Sequence, residues 1–88
     1  MIMQDAYAAA QMLLDAEIRP GQDEEVVICS CTEYPTAWVF GYNTRRFLLE
    51  LDLTASLVGN GPVVVPKSGG APFLGIAGNP IEGQFQDP

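Results

Sequence analysis

The chain has no histidine, and its 88 residues include only two cysteines and four basic residues. The absence of histidine removes the commonest general base and the commonest metal ligand of proteins. No apolar run approaches the ~20 residues that a membrane helix needs. No basic residue precedes the apolar part of the N-terminus, which is atypical of a secretory signal. We therefore expect a cytoplasmic protein that holds neither a metal nor a cofactor.

The two cysteines, Cys29 and Cys31, are separated by a single residue. This spacing is neither the C-x-x-C of redox motifs nor that of a paired zinc site. On a strand they would share one face with Val27, while Val26, Ile28 and Ser30 would share the other. No histidine is available to activate a thiol, so we expect both cysteines to be small, buried, apolar side chains.

Charge is the strongest feature of the composition. Eleven acidic residues face four basic ones, for a formal net charge of −7. Such a surplus opposes binding to nucleic acid and to anionic membranes. It would attract a basic protein partner and accelerate the encounter, although a negative surface also serves solubility alone.

The first half of the chain predicts one helix and a hairpin. Apolar residues at helical spacing indicate an amphipathic helix over about residues 4–17, and Pro20-Gly21 would end it. The β-branched segment 25–33 and the aromatic segment 37–43 indicate two strands, joined by a turn at 34–36. On the second strand, Trp38, Phe40 and Tyr42 would share a face.

The second half predicts further strands. Alternating apolar residues favour a third strand over about 45–50, then a loop or helical turn through 54–57. Val63 to Val65 form a short strand, and its flanking prolines, Pro62 and Pro66, favour an edge position or a short ladder.

After a glycine-rich turn, a strand over about 72–77 would complete a hairpin, and Asn79 would cap a short closing helix. No internal boundary is visible, so residues 1–88 are expected to form one domain. The expected fold is α+β: an N-terminal helix packed on a small, mainly antiparallel sheet of four to five strands, with a short C-terminal helix.

Several stretches together resemble a known family. They are the opening "DAYAAAQMLL", the aromatic strand Trp38 to Tyr42, the segment "GNGPVVVPKSGG", Leu74 to Ala77, and Pro80 to Glu82. In these stretches the chain resembles the immunity protein 35 family of bacterial polymorphic toxin systems, also described as YrhB-like domains. The resemblance implies an α+β domain that is encoded beside a toxin and protects the producing cell by binding that toxin.

The favoured hypothesis is therefore a non-enzymatic immunity protein that binds a cognate toxin with a basic surface. Aromatic residues supply most of the affinity in many interfaces, and the candidate anchors here are Trp38, Tyr42 and Tyr34. The candidate acidic rim comprises Asp23, Glu24, Glu25, Glu33, Glu50 and Asp52.

Two alternatives stay open at this point. Some YrhB-like members are regarded as small heat-stable chaperones, which implies binding to unfolded clients through an exposed apolar patch. An enzyme would have to use a cysteine without histidine, or a carboxylate pair such as Glu33 with Glu50 across neighbouring strands. A sheet edge could also pair with a second copy of the chain or with the partner.

Overall fold

A computed structural model describes residues 2–51 and 61–75 of the protein. Within them, four strands form one antiparallel sheet in the order β1-β2-β3-β4. The elements are α1 (Met3–Glu17), β1 (Val26–Glu33), β2 (Ala37–Thr44), α2 (Arg45–Glu50), β3 (Val63–Pro66) and β4 (Phe73–Leu74). The α+β class, the N-terminal helix and the antiparallel sheet are confirmed.

Helix α1 packs on one face of the sheet, over β2 and β3. Its buried residues Ala6, Ala10 and Leu14 recur every four positions, so they lie on one side of the helix. The two alanines have short side chains, which let the helix approach the sheet closely above Phe40 and Val63. The expected amphipathic helix is thus confirmed, and its apolar face covers the centre of the sheet.

The predicted hairpin of β1 and β2 is confirmed, but one of its faces is not as expected. Ile28 lies opposite Tyr42, whereas Ser30 lies opposite Gly41, so Cys29 is an extra residue in β1. This β-bulge reverses the alternation of side chains beyond it. Cys31 therefore lies opposite Phe40 on the helix-covered face, and the expectation that it shares a face with Val27 is wrong. Trp38, Phe40 and Tyr42 do share a face, since all three contribute to the core beneath α1.

The expected third strand over 45–50 is wrong, because these residues form the helix α2. The Thr44 hydroxyl accepts a hydrogen bond from the Phe47 backbone N–H at 3.1 Å, which caps the first turn. Leu51 ends the helix in the left-handed conformation, with φ 54°. Arginine, leucine and glutamate are all good helix formers, and the cap outweighs the alternation of apolar residues.

Strand β3 lies between β2 and β4, so its expected edge position is wrong. Its ladder is short, as the flanking prolines also allowed, and Pro66 is paired with Ala37 at its end. The expected hairpin of β3 and β4 is confirmed. The turn between them uses Gly69 at φ 91°, a conformation that only glycine adopts readily.

A smaller cluster lies on the opposite face of the sheet, where Ala37, Val39 and Val64 are buried against Tyr34 and Phe73. The expected helical turn at 54–57, the C-terminal part of the strand over 72–77, and the closing helix from Asn79 fall outside the described residues.

Candidate partner-binding surface

Strand β1 lies at one end of the sheet and, among the described residues, pairs with β2 alone. Its residues 29–33 are all exposed. The expectation that Cys29 and Cys31 are buried is therefore wrong. The reason is the position of α1, which covers β2 and β3 and leaves the second half of β1 open.

The backbone geometry shows which groups of β1 face outward. Tyr34 and Ala37 exchange backbone hydrogen bonds of 2.8 and 3.4 Å. In an antiparallel ladder such pairs alternate with pairs whose N–H and C=O groups point away from each other. Glu33 opposite Trp38 and Cys31 opposite Phe40 are pairs of the second kind. The N–H and C=O groups of Cys31 and Glu33 therefore point away from β2, toward the open edge.

The first half of the same edge is closed by Arg19. Its Nε and Nη2 both donate to the Val26 carbonyl oxygen, at 3.3 and 2.8 Å. The same guanidinium donates to Gln11 Oε1 at 2.7 Å and to Asp15 Oδ1 at 2.8 Å. Arg19 thus joins the end of α1 to the start of β1 and occupies an outward carbonyl there.

At the other end of β1, Glu33 leans across the sheet toward Lys67. Lys67 Nζ donates to Glu33 Oε2 at 2.5 Å and lies 5.1 Å from the centroid of the Trp38 ring. A cation in this position is attracted by the face of the indole. The interaction draws the Glu33 side chain over β2, away from the outward backbone groups of β1.

Two acidic residues and two arginines lie together where β1 begins and β2 ends, because antiparallel strands bring those two points together. Arg45 Nη1 is 3.6 Å from Glu25 Oε1, and Arg46 Nη1 is 3.1 Å from Glu24 Oε1. Together with Leu49 and Glu50 these four residues line a shallow cleft. Two carboxylates of the predicted rim are thus neutralised within the chain.

All four cations of the chain are engaged in such pairs. Besides Arg45 and Arg46, Arg19 is paired with Asp15, and Lys67 with Glu33. In the part of the chain that the structure describes, four carboxylates have no cation within salt-bridge distance: Asp5, Glu17, Asp23 and Glu50. The surplus of seven negative charges therefore has no internal cation to neutralise it.

The three aromatic candidates are all half-buried. The Tyr42 hydroxyl donates to the Gly61 carbonyl oxygen at 2.9 Å, and burial raises the pKa of this phenol. Trp38 packs at the margin of the core, and its buried Nε1 has no hydrogen-bond partner within residues 2–51 and 61–75. Tyr34 packs against the smaller cluster. Their role as anchors stays a prediction.

The structure divides the predicted acidic rim between the two ends of the β1–β2 hairpin. Asp23, Glu24, Glu25 and Glu50 lie near the start of β1, and Glu33 lies at its end. Asp52 is outside the described residues. The suggested pairing of Glu33 with Glu50 across neighbouring strands is wrong, because Glu50 belongs to α2 at the opposite end of the hairpin.

Sequence reasoning missed the open half of β1 and the contact of Lys67 beside it. Lys67 pairs with Glu33 from across β2, at a sequence separation that no local pattern reveals. Tyr7 is 42% exposed while its ring meets Phe40 edge-on at a centroid distance of 6.1 Å. Tyr7 lies in the apolar helical repeat that predicts α1, so this contact with the core agrees with the sequence pattern.

The described residues contain no group of three histidine, cysteine or acidic side chains placed to hold a metal ion. No helix among them has the length and apolar character that a membrane span requires.

These features define a small, acidic α+β protein with an open sheet edge. The chain belongs to the immunity protein 35 family, whose model matches residues 4–86. The family implies a toxin as partner in general terms. The chain is also similar to the uncharacterized protein YrhB of Escherichia coli (strain K12), at 37% identity over 84 residues, which cover 94% of this chain and 83% of the relative. No solved structure matches the chain.

Proposed function

We propose that this chain is a non-enzymatic immunity protein that binds a cognate toxin in the cytoplasm of the producing cell and neutralises it by occlusion. Family membership supports the toxin as partner. The observation that carries the proposal is the net charge of −7, in a chain whose four cations are each already within salt-bridge distance of a carboxylate.

The charge favours a toxin with a basic surface. Many toxins that act on nucleic acids or on phosphate groups need such a surface, and an acidic protein would compete for it. Electrostatic complementarity of this kind raises the association rate and makes it dependent on salt. A standard interface would bury roughly 800 Å² of this chain, which a protein of this size can supply from one face.

Co-expression with the open reading frame beside its gene tests the proposal. The chain should restore growth of cells that express the toxin, and the two purified proteins should elute together from gel filtration. The association rate should fall as ionic strength rises. Continued killing, together with separate elution, would refute the proposed function.

Two pairs of substitutions test the acidic rim. Asp23→Asn with Glu50→Gln removes two unpaired carboxylates from the predicted rim. Asp5→Asn with Glu17→Gln removes two unpaired carboxylates from α1, so both variants have the same net charge. The rim variant should slow association several-fold more than the helix variant. Equal slowing would show that total charge matters and that the rim is not the contact.

A chaperone is the second candidate, and exposed apolar side chains favour it. Ile2 directly before α1 is 61% exposed and Met12 on α1 is 71% exposed, and at α2 Leu49 and Leu51 are 70% and 74% exposed. A general chaperone would suppress the aggregation of several unrelated proteins through such side chains. Ile2→Gln with Met12→Gln should weaken that suppression if the chaperone role is real, but should leave protection against the toxin intact if immunity is the function.

A further inference from the structure

In the part of the chain that the structure describes, the second half of β1 has no neighbouring strand on its outer side, and its hydrogen-bonding groups there form a defined pattern. Cys31 and Glu33 each direct an N–H and a C=O away from β2. The side chains from Ser30 to Thr32 are short and exposed, so another backbone can approach to the ~4.8 Å spacing of neighbouring strands.

Proteins commonly protect exposed edges with a bulge, a proline, an inward-pointing charge or a covering side chain. Within residues 2–51 and 61–75, such protection is seen in the first half of β1, where the bulge lies at Cys29 and Arg19 occupies the Val26 carbonyl. Residues 30–33 contain no proline and no basic residue. The one charged side chain, Glu33, is drawn across β2 toward Lys67.

Charge decides between the occupants of this edge. Glu24, Glu25 and Glu33 flank the strand, but each is paired with a cation of the chain, so the net charge of −7 makes the distinction. A second copy of the chain would bring another seven negative charges to the contact, and this repulsion opposes pairing. An extended segment with basic residues would instead be attracted by the net charge.

We propose that residues Ser30 to Glu33 of β1 receive an extended, basic segment of the partner as an added strand, with backbone bonds to Cys31 and Glu33. This inference rests on the proposed function, because it names the element through which the chain holds its toxin. Main-chain bonds of this kind supply affinity with little dependence on side-chain identity, and the net charge of −7 adds the preference for basic residues.

The probe is an acetylated and amidated peptide of sequence KTVTK, titrated into the ¹⁵N-labelled full chain at low ionic strength. The amide signals of Cys31 and Glu33 should shift, and their hydrogen exchange should slow. The counterpart ETVTE should have no such effect. The proposal would be overturned by equal responses to the two peptides or by shifts centred on the Glu24–Arg45 cleft. Unmoved amides at residues 30–33 with the peptide at about 10 mM would also overturn it, because that concentration nearly saturates a site with a Kd of about 1 mM.

Backbone variants separate the edge from its side chains. Cys31→Pro removes an N–H that β2 does not use, and a proline is tolerated at such an outward position of an edge strand. It should reduce peptide affinity at least tenfold, whereas Cys31→Ala retains the N–H and should bind as the unmodified chain does. Equal affinities of the two variants would contradict the proposal.

A second pair of variants avoids any change to the backbone. Cys31→Lys places a positive charge beside the incoming segment, and Cys31→Glu places a negative charge at the same exposed position. The lysine variant should bind KTVTK several-fold more weakly than the glutamate variant. The opposite order, or no difference, would overturn the choice of a basic occupant, as would a dimer of the unmodified chain that protects the same amides.

The toxin assay keeps the two proposals distinguishable. If the unmodified chain protects cells and Cys31→Pro protects them equally well, immunity stands and the edge is not the contact. If the chain binds KTVTK at the edge and gives no protection, the immunity function fails while the edge remains a receptor for basic strands.

Discussion

Cys31 lies directly opposite Phe40 in the β1–β2 ladder, on the face that α1 covers, although Ile28 three residues earlier lies on that same face. An odd separation between residues on one face requires an extra residue, and Cys29 supplies it. At the open end of the hairpin, the Glu25 carbonyl accepts a hydrogen bond from the Arg45 N–H at 2.8 Å. At the turn, Tyr34 and Ala37 exchange backbone hydrogen bonds. The pairs before and after the bulge therefore keep the same alternation of hydrogen bonds.

Deletion of Cys29 should therefore leave both ends of the hairpin in register. We expect this variant to remain within about 1 kcal/mol of the unmodified chain, because every cross-strand pair survives. Deletion of Thr32 is the matched control: it removes a residue from the regular part of the ladder and forces either the turn or the core face out of register. Urea unfolding should show a large loss of unfolding free energy only for the Thr32 deletion. A comparable loss for both deletions would contradict the assignment of the bulge to Cys29.

The bulge also explains why the sequence predicted the strand but not its faces. β-branched residues mark residues 26–33 as a strand wherever the bulge falls. The face of each side chain, however, depends on a backbone irregularity that composition does not encode. The exposure of the cysteines was not predictable from the local sequence either, because it depends on which part of β1 the helix α1 covers.

Arg19 should stabilise the fold far more than the other arginines. It is partly buried and donates to two backbone carbonyls and two side chains, and lysine lacks the planar fork that this arrangement needs. We expect Arg19→Lys to cost about 1–2 kcal/mol of unfolding free energy. Arg45→Lys changes an ion pair whose two side chains are both 62% exposed, and should cost less than about 0.5 kcal/mol. Chemical denaturation of the two variants would show equal stabilities if Arg19 were merely a surface residue.

Thr44 links the hairpin to α2, and it is 1% exposed. Thr44→Val retains the shape of the side chain but leaves the Phe47 N–H without its capping oxygen. We expect a loss of at least about 1 kcal/mol. The same change at the exposed Thr36 in the hairpin turn should alter the unfolding free energy by less than about 0.5 kcal/mol. Thermal unfolding of both variants provides the comparison, and an unchanged midpoint for Thr44→Val would show that the cap does not hold α2.

The cap at Thr44 shows what sequence reasoning overlooked in the second half of the chain. A threonine directly before helix-forming residues is a start signal for a helix, and Thr44 directly precedes Arg45 and Arg46. The alternation of Phe47, Leu49 and Leu51 masked that pattern, because a six-residue helix is too short to display a full helical period. The helix–sheet architecture was predictable since α1, β1 and β2 have long, consistent patterns.

Thiol chemistry offers a test of the environment of Cys31. Partial burial raises the pKa of the Cys31 thiol, and the negative charge of Glu33 raises it further. Since the thiolate is the reactive form, alkylation of Cys31 in a Cys29→Ser background should reach its half-maximal rate at a pH above the ordinary pKa of a cysteine. Glu33→Gln removes the second cause and should shift that midpoint downward, so the rate at pH 8 rises.

Glu25→Gln is the matched control for this measurement, because it removes one carboxylate at the opposite end of β1. At an ionic strength near 0.15 M, where screening acts over about 8 Å, the control should leave the midpoint unchanged. Glu25 lies roughly 20 Å from Cys31 at the rise of an extended chain. A midpoint that moves upward in Glu33→Gln, or equally in both variants, would contradict the placement of Glu33 beside the open edge on which the strand-addition proposal depends.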